Sequence, residues 1–302
     1  MKVLITGSEG FIGTHLKQVL PHDILEFDLK LGHDVRDRKL VADAVGKADV
    51  VYHLASIAGV DNVIKDPTET MRITNEGTSN VIEACNDRSI HRLVYVSTSE
   101  IFGSHADGVR EHDPASLGPV NEARWTYACA KYGMEAYGHS YYRNNGLPFV
   151  SVRPFNIFGP GQMGPGAVKT ILDRAVKNEE IVLTHRGEQS RSWCYIDDFI
   201  IGLKKCMEVD GAVGQCFNLG NRRNFCSIYS LARTILRISN SRSKIVLAPS
   251  NEPDVECRNP NIDKARDILG FNPVIYLDDG IALTLRSLSG SPDPHHPRWP
   301  GP

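Results

Sequence analysis

The stretch MKVLITGSEGFIGTHL, residues 1–16, decides the fold. VLIT (3–6) is an apolar, β-branched run of strand length, and residues from about Phe11 to Leu20 read as a helix. Between them Gly7, Gly10 and Gly13 recur every third residue, with Phe11 and Ile12 inside the turn. The first glycine permits a tight turn, the second lets the backbone approach a pyrophosphate, and the third lets the helix pack on the sheet. Unpaired amides at the helix start then face the phosphate charge. Asp28 closes the next apolar run, DILEFD (23–28). A carboxylate there accepts hydrogen bonds from a ribose 2′-hydroxyl and repels a 2′-phosphate, so the turn reads as an NAD site rather than an NADP site. A glycine turn followed by a solvated acid is the plainer alternative. Asp34, in GHDVRD, falls where it can reach the adenine or stand as an exposed loop acid.

Working outward, ADVVYHLA (48–55), RLVYVST (92–98) and PFVSVRPF (148–155) read as strands, with helices through residues 75–88 and 127–143. This alternation predicts an α/β fold, a doubly wound parallel sheet covered by helices on both faces. After Asn156 the rhythm breaks at FGPGQMGPGA (158–167). The expected organisation is a nucleotide domain over 1–156 with later returns near 192–220, where CYIDDFIIGLKKCM and CFNLG supply one more helix and strand. A smaller, interwoven domain takes up most of 157–288. The Pro- and Gly-rich tail 289–302 is expected to be disordered.

Composition narrows the partners. With 41% hydrophobic and 23% charged residues and a formal net charge of −2, the chain has no electrostatic footprint for nucleic acid or an anionic membrane. Its seven cysteines are scattered and form no C-x-x-C pair, which disfavours a metal site and a disulfide framework and fits a reducing, cytoplasmic setting. MKVLIT is too short for a secretory apolar segment, and no apolar run approaches a membrane span.

The chemistry is expected elsewhere. Tyr127 and Lys131 stand four apart in a helical segment and share one face. An ammonium beside a phenol, together with an oxidised nicotinamide, favours the phenolate and makes the tyrosine a base for an alcohol proton. Such a pair also suits an ordinary surface helix. STSEIFG, at the end of the strand 92–98, offers Thr98 as a second partner for the same substrate oxygen, with Ser99 and Glu100 beside it. Open α/β sheets place ligands at that end of a strand, although a polar turn at a strand's edge explains the string as well.

TGSEGFIG, HLAS, STSEIFG, YACAK and RPFNIFGP, in this order and spacing, resemble the extended short-chain dehydrogenase/reductases, in particular the nucleotide-sugar epimerase/dehydratase branch. The resemblance covers about residues 1–285 and includes RGEQSRSWCYIDDF and CRNPNIDKARDILGFNP. It implies a Rossmann-type sheet with a smaller C-terminal substrate domain, and NAD as cofactor. It further implies Gly7, Gly10 and Gly13 on the pyrophosphate, Asp28 on the ribose, Asp34 and Val35 near the adenine, and Leu54, Ala55 and Ser56 along the cofactor cleft. By the same resemblance Tyr127 and Thr98 hold the sugar 4-hydroxyl, Lys131 also bonds the nicotinamide ribose, and Asn156, Arg191 and Arg258 bind the diphosphate. Either arginine has a surface ion pair as its ordinary alternative.

The implied first step is oxidation at C4 of a nucleoside-diphosphate sugar. Thr98-Ser99-Glu100 is similar to the pattern of uronate decarboxylases and of GDP-mannose dehydratases, which points to Glu100-assisted chemistry at C5; plain 4-epimerisation is the alternative. NEARWTYACAK and DVECRNP further resemble the decarboxylase half of a bifunctional polymyxin-resistance enzyme. Arg186 stands where the family has a small or acidic residue. A non-catalytic NAD-binding module is the reading from another class, disfavoured because Tyr127, Lys131 and Thr98 are all kept. A steroid or flavonoid-type reductase is disfavoured by Asp28. A homodimer is expected through helices including the one bearing Tyr127.

Overall fold

The computed structural model describes residues 1–57, 59–164, 166–250 and 254–288. The expected disordered tail, 289–302, lies outside the described residues. Lys2–Thr6 forms β1, Phe11–Val19 α1, Asp23–Phe27 β2, Arg38–Val45 α2 and Val50–His53 β3. Val60–Lys65 forms α3, Pro67–Asn86 α4, Arg92–Val96 β4, His105–Val109 β5, Thr126–Asn145 α5 and Phe149–Pro154 β6.

Six strands make the main sheet in the order β2, β1, β3, β4, β6 and then Cys216–Leu219. Every pairing in it is parallel. Both faces are covered, which is why Val50–His53 and Arg92–Val96 are buried at every position rather than at alternate ones. One face packs on α2, α4 and α5 through Val41, Val81, Ile82 and Phe149; the other packs on α1 and the helix Ile196–Glu208. The strand order reverses between β1 and β3. That crevice is flanked by the glycine turn after β1 and by Leu54, Ala55 and Ser56 after β3, the position at which open α/β sheets take ligands.

Two departures from the sequence reading bear on the site. Helix α4 begins at Pro67, eight residues before the expected 75, because Asp66 caps it by accepting from Glu69 N at 2.9 Å and proline fits a first helical turn. The second departure is a small sheet ordered Phe225–Ser227, Ser190–Ser192, Cys257–Pro260 and β5. In it Arg258 lies in register with Arg191. No local periodicity announces strands this short.

Candidate active site

The glycine turn is a backbone device. Gly7 adopts φ +75°, and a Cβ there would come within 2.9 Å of Ala55 N. A Cβ on Gly13 would stand 2.3 Å from Gly7 O, so helix and turn touch backbone to backbone. Gly10 caps α1 with no side-chain hydrogen bond, which leaves the first helical amides, from Phe11 and Ile12 onward, open to an anion. Ser8 Oγ is fully buried in this turn and has no hydrogen-bond partner. A buried orphan donor beside open amides and a sterically cleared backbone fits a pyrophosphate. Asp28 faces the turn: its carboxylate accepts from Glu9 N at 3.0 Å and Lys30 N at 2.9 Å, and each oxygen retains capacity for a ribose hydroxyl. Asp34 instead turns toward Arg36, which donates to it through Nε and Nη2 and holds its carboxyl below the ordinary value. Val35 packs against Gly77 of α4, where a Cβ would meet its Cγ2 at 2.5 Å.

At the opposite end of the crevice α5 carries Tyr127 and Lys131. Lys131 is 1% exposed and donates from Nζ to Val96 O at 2.8 Å, with Nζ also 4.9 Å from the Tyr95 ring centre and 5.8 Å from that of Tyr127. Burial pulls its ammonium down to about 7, and the Glu135 carboxylate opposes the shift. In the chain alone the Tyr127 phenol is pushed up, first by burial and then by the Glu100 carboxylate, while a hydrogen bond with Ser56 works the other way. Burial thus works against the phenolate, which was expected to be favoured by the ammonium together with an oxidised nicotinamide. The remaining cation in that argument, the oxidised nicotinamide, comes with the cofactor. Thr98 Oγ1 accepts from Glu100 N at 3.1 Å and so caps the short turn Ser99–Phe102, which fixes Thr98, Ser99 and Glu100 as one unit. Ser99 is buried.

Glu100 opens onto a cluster of charges. Arg124 lies 3.6 Å from Glu100 and 3.5 Å from Asp254; Arg191 lies 3.7 Å from Asp254, and Arg258 3.6 Å from Glu100. Among the described residues, three guanidiniums thus share these two carboxylates, at distances too long for good hydrogen bonds. Arg124 Nε and Arg258 Nε have no acceptor among the described residues. Arg191 and Arg258 face each other across a strand pair, an arrangement of like charges that is unfavourable unless an anion lies nearby. Burial pulls the Arg191 guanidinium down to about 10, with Arg258 and Arg124 adding to the shift. Glu100, Arg124, Asn156, Arg191, Gln189 and Asp254 line part of a cavity of about 460 Å³. Asn156 takes a left-handed φ of 45° and anchors its Nδ2 on Ser192 O at 3.0 Å.

Arg258, expected on the diphosphate, is 1% exposed, donates to Gly103 O at 2.7 Å and lies 3.6 Å from Glu100, within the same charge cluster. Arg124 and Asp254 lie in NEARWTYACAK and DVECRNP, but nothing in those strings by itself gives either residue a role. Arg124 stands three residues before Tyr127 and was recoverable from that spacing, whereas Asp254 reaches the site only through the tertiary fold.

Residues 3–220 match the model of the NAD dependent epimerase/dehydratase family. The chain belongs to this family. Among its relatives, UDP-glucuronic acid decarboxylase 1 of Xenopus tropicalis is 30% identical over 94% of this chain and 71% of its own length. The UDP-N-acetyl-alpha-D-glucosaminuronate decarboxylase of Bacillus cytotoxicus is 27% identical over 94% of this chain and 97% of its own. A solved UDP-glucuronic acid 4-epimerase from Bacillus cereus, in complex with UDP-glucuronic acid and NAD, overlays with a TM-score of 0.86 at 25% identity, covering 96% of this chain and 99% of that one. This family member is therefore an NAD-dependent enzyme of the nucleotide-sugar epimerase/dehydratase type, not a non-catalytic module. Among the described residues no helix is long and apolar enough to cross a membrane.

Proposed function

We propose that this enzyme decarboxylates a nucleoside-diphosphate uronic acid through a 4-keto sugar. The observation that carries the reading is that Arg124 and Arg191 line the cavity beside Glu100 and are held by carboxylates only loosely, at 3.5 to 3.7 Å, which leaves both guanidiniums able to take a substrate carboxylate and a diphosphate. Gly7, Gly10 and Gly13, with the amides of Phe11 and Ile12 and the hydroxyl of Ser8, hold the cofactor's pyrophosphate. Asp28 holds its ribose, Asp34 and Val35 lie on the adenine side, and Leu54, Ala55 and Ser56 line the cleft. NAD, when bound, supplies a reversible hydride acceptor for C4 of the sugar.

Tyr127 Oη takes the proton of the 4-hydroxyl, Thr98 Oγ1 and Ser56 Oγ orient that oxygen, and the Lys131 ammonium stabilises the phenolate and bonds the nicotinamide ribose. With C4 at the ketone level, the C6 carboxylate belongs to a β-keto acid. The C5–C6 bond breaks, carbon dioxide leaves, the electron pair enters a C4–C5 enolate, and C5 then takes a proton. Arg124 orients the carboxylate, Glu100 with Arg258 beside it serves C5, and Arg191 and Asn156 bind the diphosphate. Ser99 shapes the turn that carries Glu100. A cytoplasmic homodimer that meets on the helices α4 and α5, where Tyr132 is 39% exposed, completes the proposal; a sedimentation mass of two chains is the expected result.

The second reading, 4-epimerisation of the same uronic acid, is favoured by the overlay with the Bacillus cereus epimerase. Mass spectrometry of products from UDP-glucuronate, UDP-N-acetylglucosaminuronate, UDP-glucose, GDP-mannose and dTDP-glucose tests the choice. Loss of carbon dioxide from a uronate supports decarboxylation. Unchanged mass with an inverted sugar, or loss of water from GDP-mannose, overturns it.

A further inference from the structure

Glu135 sits one helical turn beyond Lys131, and nothing in the reaction above uses it. It is 2% exposed, yet it is the hub of a dense polar network. One carboxylate oxygen accepts from Ser97 Oγ at 2.6 Å; the other accepts from Ser151 Oγ at 3.0 Å and forms an ion pair with Arg153 Nη2 at 2.9 Å. Arg153 Nε bridges both oxygens at 3.1 and 3.2 Å. These partners come from three elements: Glu135 from α5, Ser97 from the end of β4, and Ser151 and Arg153 from β6. Ser97 directly precedes Thr98. Arg153 also lies 5.3 Å over the ring of Phe102, the last residue of the turn that carries Glu100. A buried carboxylate is costly unless fully paired, and this one is fully paired only while α5 and the reactive end of β4 keep their present register.

We propose that Glu135 is the positioning residue of this site: its carboxylate clamps Ser97, and through it Thr98, to the helix that bears Tyr127 and Lys131. The same carboxylate stands one turn along α5 from Lys131, and its negative charge favours the ammonium there. The other groups around that ammonium are the Val96 carbonyl and Tyr95 ring from β4, the Tyr127 ring from α5, and the His53 ring from β3, which burial keeps neutral near pH 7. None of these supplies a second anion. Glu135 therefore does two separable things, holding Thr98 in place and keeping Lys131 protonated.

The two roles have separate tests. In protein labelled with ¹⁵N-lysine, the Nζ resonance that disappears in Lys131→Met reports the titration of this amine without any sugar substrate. In Glu135→Gln the titration is expected to move down by about one pH unit or more. Because Gln leaves Arg153 buried without its partner, the double variant Glu135→Gln/Arg153→Met is measured beside it, with a shift in the same direction. An unchanged titration in a folded variant overturns the charge role. Ser97→Ala keeps the carboxylate and cuts only the link to Thr98. It is expected to leave the Nζ titration in place and to lower kcat roughly ten- to a hundredfold, the scale of a displaced reacting group. A wild-type kcat in Ser97→Ala overturns the clamp. If the uronate reading is wrong, the wild-type protein itself leaves uronates untouched, while the Nζ titration still decides on Glu135.

Discussion

The two ends of the crevice are built from different materials. The end at the glycine turn is made of backbone: glycines whose added Cβ atoms would collide with main-chain atoms, open helix amides, and a single carboxylate at Asp28. The charged end is made of side chains: Glu100, Arg124, Arg191, Asp254 and Arg258 come from separate segments and meet at 3.5 to 3.7 Å. A backbone site is fixed by sterics and tolerates no change of shape. A side-chain site is fixed by balanced charge, so reassorting the charges retunes the substrate while the cofactor is kept.

Substitutions at the two ends are therefore expected to separate. The largest effect belongs to Tyr127→Phe, which removes the proton acceptor and is expected to lower turnover roughly a hundred- to ten-thousandfold. The NAD content of that variant, read by absorbance after denaturation, stays at the wild-type level; its loss would break the separation of the two ends. Gly13→Ala drives a methyl group toward Gly7 O and is expected to weaken NAD binding about five- to a hundredfold, from ~1–3 kcal/mol of overpacking, as measured by cofactor titration. Arg124→Lys keeps the charge but loses the planar fork. Its KM for the uronate is expected to rise about tenfold with NAD affinity unchanged.

The smallest effect concerns the floor beneath both ends. His53 is wedged between Thr6 Oγ1 at 2.7 Å and Thr78 Oγ1 at 3.0 Å, and burial depresses its ring from 6.5 to about 3. The unfolded chain therefore binds this proton from about pH 6.5 downward while the folded chain refuses it. Stability present above pH 6.5 is lost as the pH falls toward about 3. His53→Gln is expected to be less stable at neutral pH but to lose less of its melting temperature on acidification through that window. An equally steep loss would assign the acid sensitivity to other groups.

The same contrast explains what was legible in the sequence. The glycine spacing, Asp28 and the strands beside them announce themselves locally, because backbone geometry is encoded by residues next to one another. The Tyr127–Lys131 pair was visible by helical spacing, but its electrostatics were not: burial depth, which sets the Lys131 value near 7, belongs to the packed fold. Arg258 was recognisable by resemblance, yet its place beside Glu100 follows from a strand register in which it lies opposite Arg191. Asp254 depends on distant partners, whereas the start of α4 is set by the local cap of Asp66 on Glu69 N.

The central claim is that chemistry at the charged end takes place at C5 of a sugar oxidised at C4. Turnover of UDP-glucuronate in D2O, followed by NMR and mass spectrometry, tests it most directly. The account predicts a product that has lost its carboxylate as carbon dioxide and carries a solvent deuteron at C5. A product that keeps the carboxylate, takes up no deuterium and is inverted at C4 would contradict it.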